Sequence, residues 1–227
     1  PRMIKRALIS GLPSTGVHVA DLHSMPVPVA RYVTRALGMA GGIHVRLSPF
    51  DNRVVDITFF DEKGLDLGPN AQRKIERVFF QEDFRRVYLD DIARITEPTH
   101  PESHYLDAFR KSLDMEALRP AGKGIRLVVD YANSSTAKVL PTILDELNCE
   151  VVALNSTLDD SKIYQTAQEF EAGLDLLAAM VPVLKANFGV RLDTGGERIY
   201  VVDDRGSRID GMRALVLLVA LSLTSQS

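Results

Sequence analysis

Short runs in which apolar and polar residues alternate are interleaved along this chain with longer runs whose apolar positions recur every three or four residues. The first pattern predicts half-buried strands and the second amphipathic helices. Met3–Leu12 carries Ile4, Leu8, Ile9 and Leu12 at helical spacing and is stopped by Pro13 and Gly16. Gly16–Asp21 alternates like a strand. Met25-Pro26-Val27-Pro28 is a rigid turn, and Pro28 suits the first turn of a helix over Val29–Met39. Gly41–Leu47 is the next strand, with Ile43, Val45 and Leu47 on one face and His44 and Arg46 on the other. Val54–Phe60 is a further strand, turned by Asp61–Gly64. Pro69–Phe80 is a helix with Ile75, Val78 and Phe79 on its apolar side, and Phe84–Ile95 has no readable period.

The second half repeats the alternation. Tyr105–Leu113 is helical, and Ile125–Val129 is a buried strand introduced by Gly122–Gly124. Ser134–Leu147 is helical, with Pro141 expected to kink or restart it. Glu150–Leu154 is a strand and Thr166–Leu184 an amphipathic helix. Phe188–Leu192 and Ile199–Val202 are strands joined by a polar loop, and Asp203–Gly206 is a second turn. Asp210 is placed to cap a final helix, and Arg213–Leu223 is apolar nearly all round, which predicts burial. Strands and helices in this order predict α/β layers, with a mixed sheet in the second half. Glu97–His104, with two prolines among polar residues, marks the boundary. It divides the chain into residues 1–98 and 99–227. The chain opens directly on a helical pattern, so a longer parent protein is expected.

Composition narrows the classes. A net charge of −3 gives no electrostatic footprint for nucleic acid or an anionic membrane. The longest apolar run, Ala214–Leu223, is about half of the ~20 residues needed to span a bilayer. The single Cys149 rules out an intramolecular disulfide framework, and a cytoplasmic location is expected.

Candidate chemistry gathers in two places. In the loop after Leu192, Asp193, Gly195 and Glu197 share one side if the backbone stays extended. Two carboxylates with a glycine between them then read as an oxygen cage for a small divalent cation that has lost one ligand. The other reading is a β-hairpin turning at Gly195-Gly196. Ser48 ends a strand beside His44 and Arg46. A hydroxyl there can carry a phosphoryl group neutralised by Arg46 or Arg53, or it is a turn serine before Pro49. His18, His23, His100 and His104 show no ligand spacing, and Cys149 reads as structural.

Four stretches occur in the order seen in α-D-phosphohexomutases, the phosphomannomutases and phosphoglucomutases. They are Gly16–Arg35, Gly41–Ser48, Asp130–Asn155 and the Asp193 loop. The resemblance implies two consecutive three-layer α/β/α domains with mixed sheets. These would be the family's domain I without its first strand and all of its domain II. It also implies transfer of phosphate between C1 and C6 of a hexose through a phosphoserine, with bound magnesium. Ser48 falls on the phosphoserine position. Asp193 and Glu197 fall on the metal loop, and Arg46 and Arg198 become phosphate ligands. Pro49-Phe50-Asp51 stands where the family has His-Asn-Pro. Asp193-Thr194-Gly195-Gly196-Glu197-Arg198 stands where it has Asp-Gly-Asp-Ala-Asp-Arg. Both motifs are eroded, so weak or absent mutase activity is expected. The alternative is a working mutase using phosphorylated Ser48. Gly11–Leu22, Gly41–Asp61 and Ile75–Asp91 further resemble the mutase-like C-terminal region of bacterial mannose-1-phosphate guanylyltransferase-type proteins. That resemblance implies a nucleotidyltransferase domain upstream, and the mutase resemblance implies further mutase domains downstream and a phosphosugar as ligand.

Overall fold

The computed structural model describes residues 2–48, 51, 53–159 and 161–224. It divides into two compact units, Pro1–Asp107 and Ala108–Ser227, each taken by itself.

In the first unit, α1 (Arg2–Gly11) runs into a 3₁₀ turn that Gly16 ends at φ 85°. Strand β1 is therefore only Val19–Ala20, shorter than the six-residue alternation predicts. Helix α2 (Val27–Ala36) has Pro28 in its first turn and buries Val27, Val29, Ala30, Val33 and Thr34. Strands β2 (Gly41–Leu47) and β3 (Val55–Asp61) form an antiparallel pair. Helix α3 (Pro69–Gln81) leaves Val78 and Phe79 exposed, so its apolar stripe covers no core. Strand β4 (Ile95–Thr96) pairs with β1 in parallel, and the division between the units falls within α4 (Glu102–Ser112). These strands make two separate two-stranded ladders. A cavity of about 420 Å³ is lined by Val17–His23 around β1, by Gly41–Val45 of β2, and by residues of α1 and α2.

In the second unit α5 (Met115–Gly122), which no periodicity announces, leads into β5 (Arg126–Asp130). Pro141 restarts the next segment. A 3₁₀ turn over Ser135–Lys138 ends, and α6 (Leu140–Glu146) begins with the proline in its first turn. Strand β6 (Glu150–Leu154) follows, then α7 (Ala167–Val183), opened by a capping box between Thr166 and Glu169. Strands β7 (Phe188–Leu192), β8 (Ile199–Asp203) and β9 (Arg208–Ile209) complete a sheet of order β6-β5-β7-β8-β9. The first three strands are parallel and the last two antiparallel, so the sheet is mixed.

Alternation along β5 sends its side chains to two cores. Leu127, Val129 and Tyr131 pack with Leu192 and, from α6, Leu140 and Leu144. Val128 packs with Leu177 and Val181 of α7 and with Val202. Gly189 of β7 lets α7 lie close, because a Cβ there would stand 2.6 Å from Val181 and 2.9 Å from Leu177.

Helix α8 (Gly211–Thr224) is capped by Asp210, whose Oδ1 accepts the Arg213 N–H at 2.9 Å. It contradicts the expectation of burial: Met212, Leu215, Val216, Leu218, Leu221 and Leu223 are all more than half exposed. An all-round apolar surface needs partners on every side, and the described residues cover little of this one. Among the described residues no helix is long and apolar enough to cross a membrane.

Candidate functional site

The loop after β7 does not stay extended, so Asp193, Gly195 and Glu197 do not line one side of a strand. It is a hairpin connection between β7 and β8, built on Asp193. The Asp193 Oδ1 accepts the Glu197 N–H at 2.7 Å and the Arg198 N–H at 3.0 Å. The Asp193 N–H reaches the Arg198 carbonyl at 3.0 Å, and the Gly196 N–H reaches the Asp193 carbonyl at 3.1 Å. Only Gly196 takes positive φ, so the turn is not the two-residue Gly195-Gly196 type.

Two other hairpins repeat this construction. Asp61 Oδ1 accepts the amides of Lys63 and Leu65, each at 2.9 Å. Asp203 Oδ1 accepts those of Arg205 at 3.0 Å and Ser207 at 2.7 Å. In each the residue three after the aspartate is a glycine, with φ 77° at Gly64, 73° at Gly196 and 82° at Gly206. An aspartate that receives main-chain N–H groups on one oxygen is a turn-builder. The Asp193 loop is this turn with one residue more.

Beneath the loop lies a polar cluster that periodicity does not announce. Asp130, at the end of β5, and Arg191, directly opposite on β7, are buried and ion-paired. Asp130 Oδ1 also accepts the Ala132 N–H and the Asn155 amide, each at 2.9 Å. Arg191 Nη2 donates to Gln165 Oε1 at 2.6 Å, and its guanidinium lies 5.2 Å from the centre of the Phe170 ring. Gly173 of α7 leaves room for that guanidinium, since a Cβ there would overlap it. The sequence carries a partial signal: Asp130 ends the apolar run of β5 and Arg191 interrupts that of β7, and buried charges of opposite sign occur paired.

In the first unit Ser48 follows β2 directly and is buried, and its N–H donates to the Val54 carbonyl at 2.9 Å. Pro49 and Phe50, two of the three residues of the expected departure after the serine, lie outside the described residues. Arg46 pairs across the strands with Asp56 at 3.6 Å. Arg53 directs its guanidinium at Asp51, with contacts of 2.9 and 2.8 Å that hold the Asp51 carboxyl below its usual range. Burial, reinforced by the charges of Arg46 and Arg31, pushes His44 down to about 4, so it is neutral near pH 7. Burial pushes the Cys149 thiol up, which suits a structural cysteine. Arg208 binds Glu171 and Asp175 of α7, each at 2.5 Å. Among the described residues no three His, Cys, Asp or Glu side chains gather as a metal site.

Residues 1–86 match the family model described as phosphoglucomutase/phosphomannomutase, alpha/beta/alpha domain I, and residues 103–206 match the one for domain II. A phosphoglucomutase/phosphomannomutase of Thermococcus kodakarensis is 30% identical over 216 residues, 95% of this chain and 47% of that protein. A phosphoglucosamine mutase of Aliarcobacter butzleri is 30% identical over 226 residues, covering 97% and 49%. The chain thus spans about half the length of the curated relatives it matches. A solved phosphoglucomutase/phosphomannomutase family protein from Burkholderia thailandensis superposes with a TM-score of 0.76 at 19% identity, covering 99% of this chain and 48% of that one. That last likeness is one of fold.

Proposed function

The chain belongs to the phosphoglucomutase/phosphomannomutase family, and from that premise we propose that it is the domain I–II part of a phosphohexomutase-like protein with weak or no mutase turnover of its own. Its ligand is a phosphosugar, and Ser48 stands at the phosphoacceptor position. The observation that carries this reading is the hairpin on Asp193. A magnesium ion held by protein oxygens demands a near-octahedral donor set. This loop offers two carboxylates, and one oxygen of Asp193 is already spent on two main-chain N–H groups. That donor set does not fit a tightly held divalent ion. Asp193 and Glu197 would hold the ion if one bound, and the ion would neutralise negative charge on a phosphoryl group.

We propose further that residues 1–98 are the family's domain I without its first strand and that residues 99–227 are domain II. The cavity between β1 and β2 supports this. Its walls include two strands that are each paired on one side only, β1 with β4 and β2 with β3. The placement downstream of a nucleotidyltransferase rests on Gly11–Leu22, Gly41–Asp61 and Ile75–Asp91 alone; that of further mutase domains in the parent protein is supported by relatives of about twice this length.

A working mutase is the second reading. The observation in its favour is the strand face that His44 and Arg46 share, with Ser48 directly after the strand. The full-length protein, supplied with hexose-1-phosphate and magnesium and coupled to detection of hexose-6-phosphate, separates the two. The first reading expects background turnover, unchanged in Ser48→Ala. Turnover that disappears in Ser48→Ala establishes the second.

A further inference from the structure

Asp130 and Arg191 sit where chain order reverses in the second sheet. From β5 the chain goes to β6 on one side and then returns to β7 on the other. In open α/β sheets that reversal, at the carboxyl ends of the strands, is where ligands are bound. Here its floor is a buried ion pair. Such a pair costs desolvation that apolar residues of equal volume avoid, so core stability alone does not account for it.

What the pair does accomplish is connection. Asp130 holds the Ala132 N–H of the loop after β5 and Asn155 at the end of β6. Arg191 holds Gln165, which precedes the α7 cap, and lies on Phe170 in the first turn of that helix. Arg191 is also two residues before Asp193, at the base of the hairpin.

We propose that Asp130 and Arg191 are positioning residues for the 193–198 loop, fixing its base against β5, β6 and α7. This rests on reading that loop as the functional one. Side chains bonded to several elements at once tie those elements together, and the pair does this although the Arg191 Nε is buried without a hydrogen-bond partner among the described residues. The loop therefore owes its fixed geometry to the pair beneath it as well as to its own turn.

The turn on Asp203 gives an internal control, because it has the same construction and lies at the other end of β8 from the 193–198 loop. Hydrogen exchange is measured on the full-length protein and on Asp130→Asn/Arg191→Met, which keeps an acceptor for Ala132 and Asn155 and removes both charges. The expected result is about tenfold faster exchange at the Glu197 and Arg198 amides, with Arg205 and Ser207 unchanged. Equal acceleration in both turns, or none, overturns the proposal. Should that variant fail to fold, Gln165→Ala removes one contact only. Acceleration of about threefold confined to the 193–198 loop is then expected, and no change overturns the proposal. Neither metal nor substrate enters the measurement. A mutase assay that contradicts the reading of the loop therefore leaves this result standing, and the reverse holds too.

Discussion

The Oδ1 atom of Asp193 accepts the backbone N–H of Glu197 at 2.7 Å, so the two acidic residues of the hairpin are joined through the main chain. Replacing Asp193 removes two hydrogen bonds to a carboxylate. Asp193→Ala is expected to lose about 1–3 kcal/mol in urea unfolding, and Asp203→Ala a similar amount. A neutral Asp193→Ala would mean that the turn does not depend on that oxygen.

Gly173 faces the Arg191 guanidinium with no room for a methyl group. Helix propensity alone favours Gly173→Ala by about 1 kcal/mol. Displacement of a buried, paired arginine is expected to outweigh that gain, leaving the variant about 1–3 kcal/mol less stable by thermal or denaturant melting. A stabilised variant would show that Arg191 is free to move.

His44 is held well below its ordinary value because it is partly buried and lies near the charges of Arg46 and Arg31. The unfolded chain therefore takes up a proton on His44 near pH 6.5, whereas the folded chain does so only near pH 4. Its contribution to stability is complete above pH 6.5 and is lost as pH falls towards 4. Comparing unfolding free energy against pH for wild type and His44→Gln isolates it. The wild-type curve is expected to fall more steeply across that window, and parallel curves would remove the histidine from the account.

Helix α8 exposes Leu215 and Leu218, at 56% and 63%. Leu215→Lys/Leu218→Glu is expected to change the melting free energy of the 227-residue chain by less than about 1 kcal/mol, because little packing is lost. It is also expected to reduce self-association in light scattering, since contiguous apolar surface drives association. A collapse of stability would place those side chains in a core.

Where the sequence spoke clearly, local chemistry decided the structure. Gly41–Leu47, Glu150–Leu154 and Phe188–Leu192 form strands with the expected limits, because β-branched alternation is bounded by turn residues. Thr166 with Glu169, and Pro141, act where they stand. The misreadings share a cause, which is dependence on partners distant in sequence. The apolar content of α8 shows what it needs, not whether the described residues supply it. Residues 193, 195 and 197 line up only on an extended backbone, and the turn closed by Asp193 bends it. The Asp130–Arg191 contact joins residues 61 apart, beyond any periodicity.

The central claim is that the 193–198 loop is a main-chain turn and not a divalent-ion cage. Its most direct test is a crystal structure of the protein grown with magnesium. The account predicts the Asp193 Oδ1 still on the Glu197 and Arg198 amides and no ordered cation at the loop. An octahedral ion at about 2.0–2.1 Å from oxygens of both Asp193 and Glu197 would contradict it.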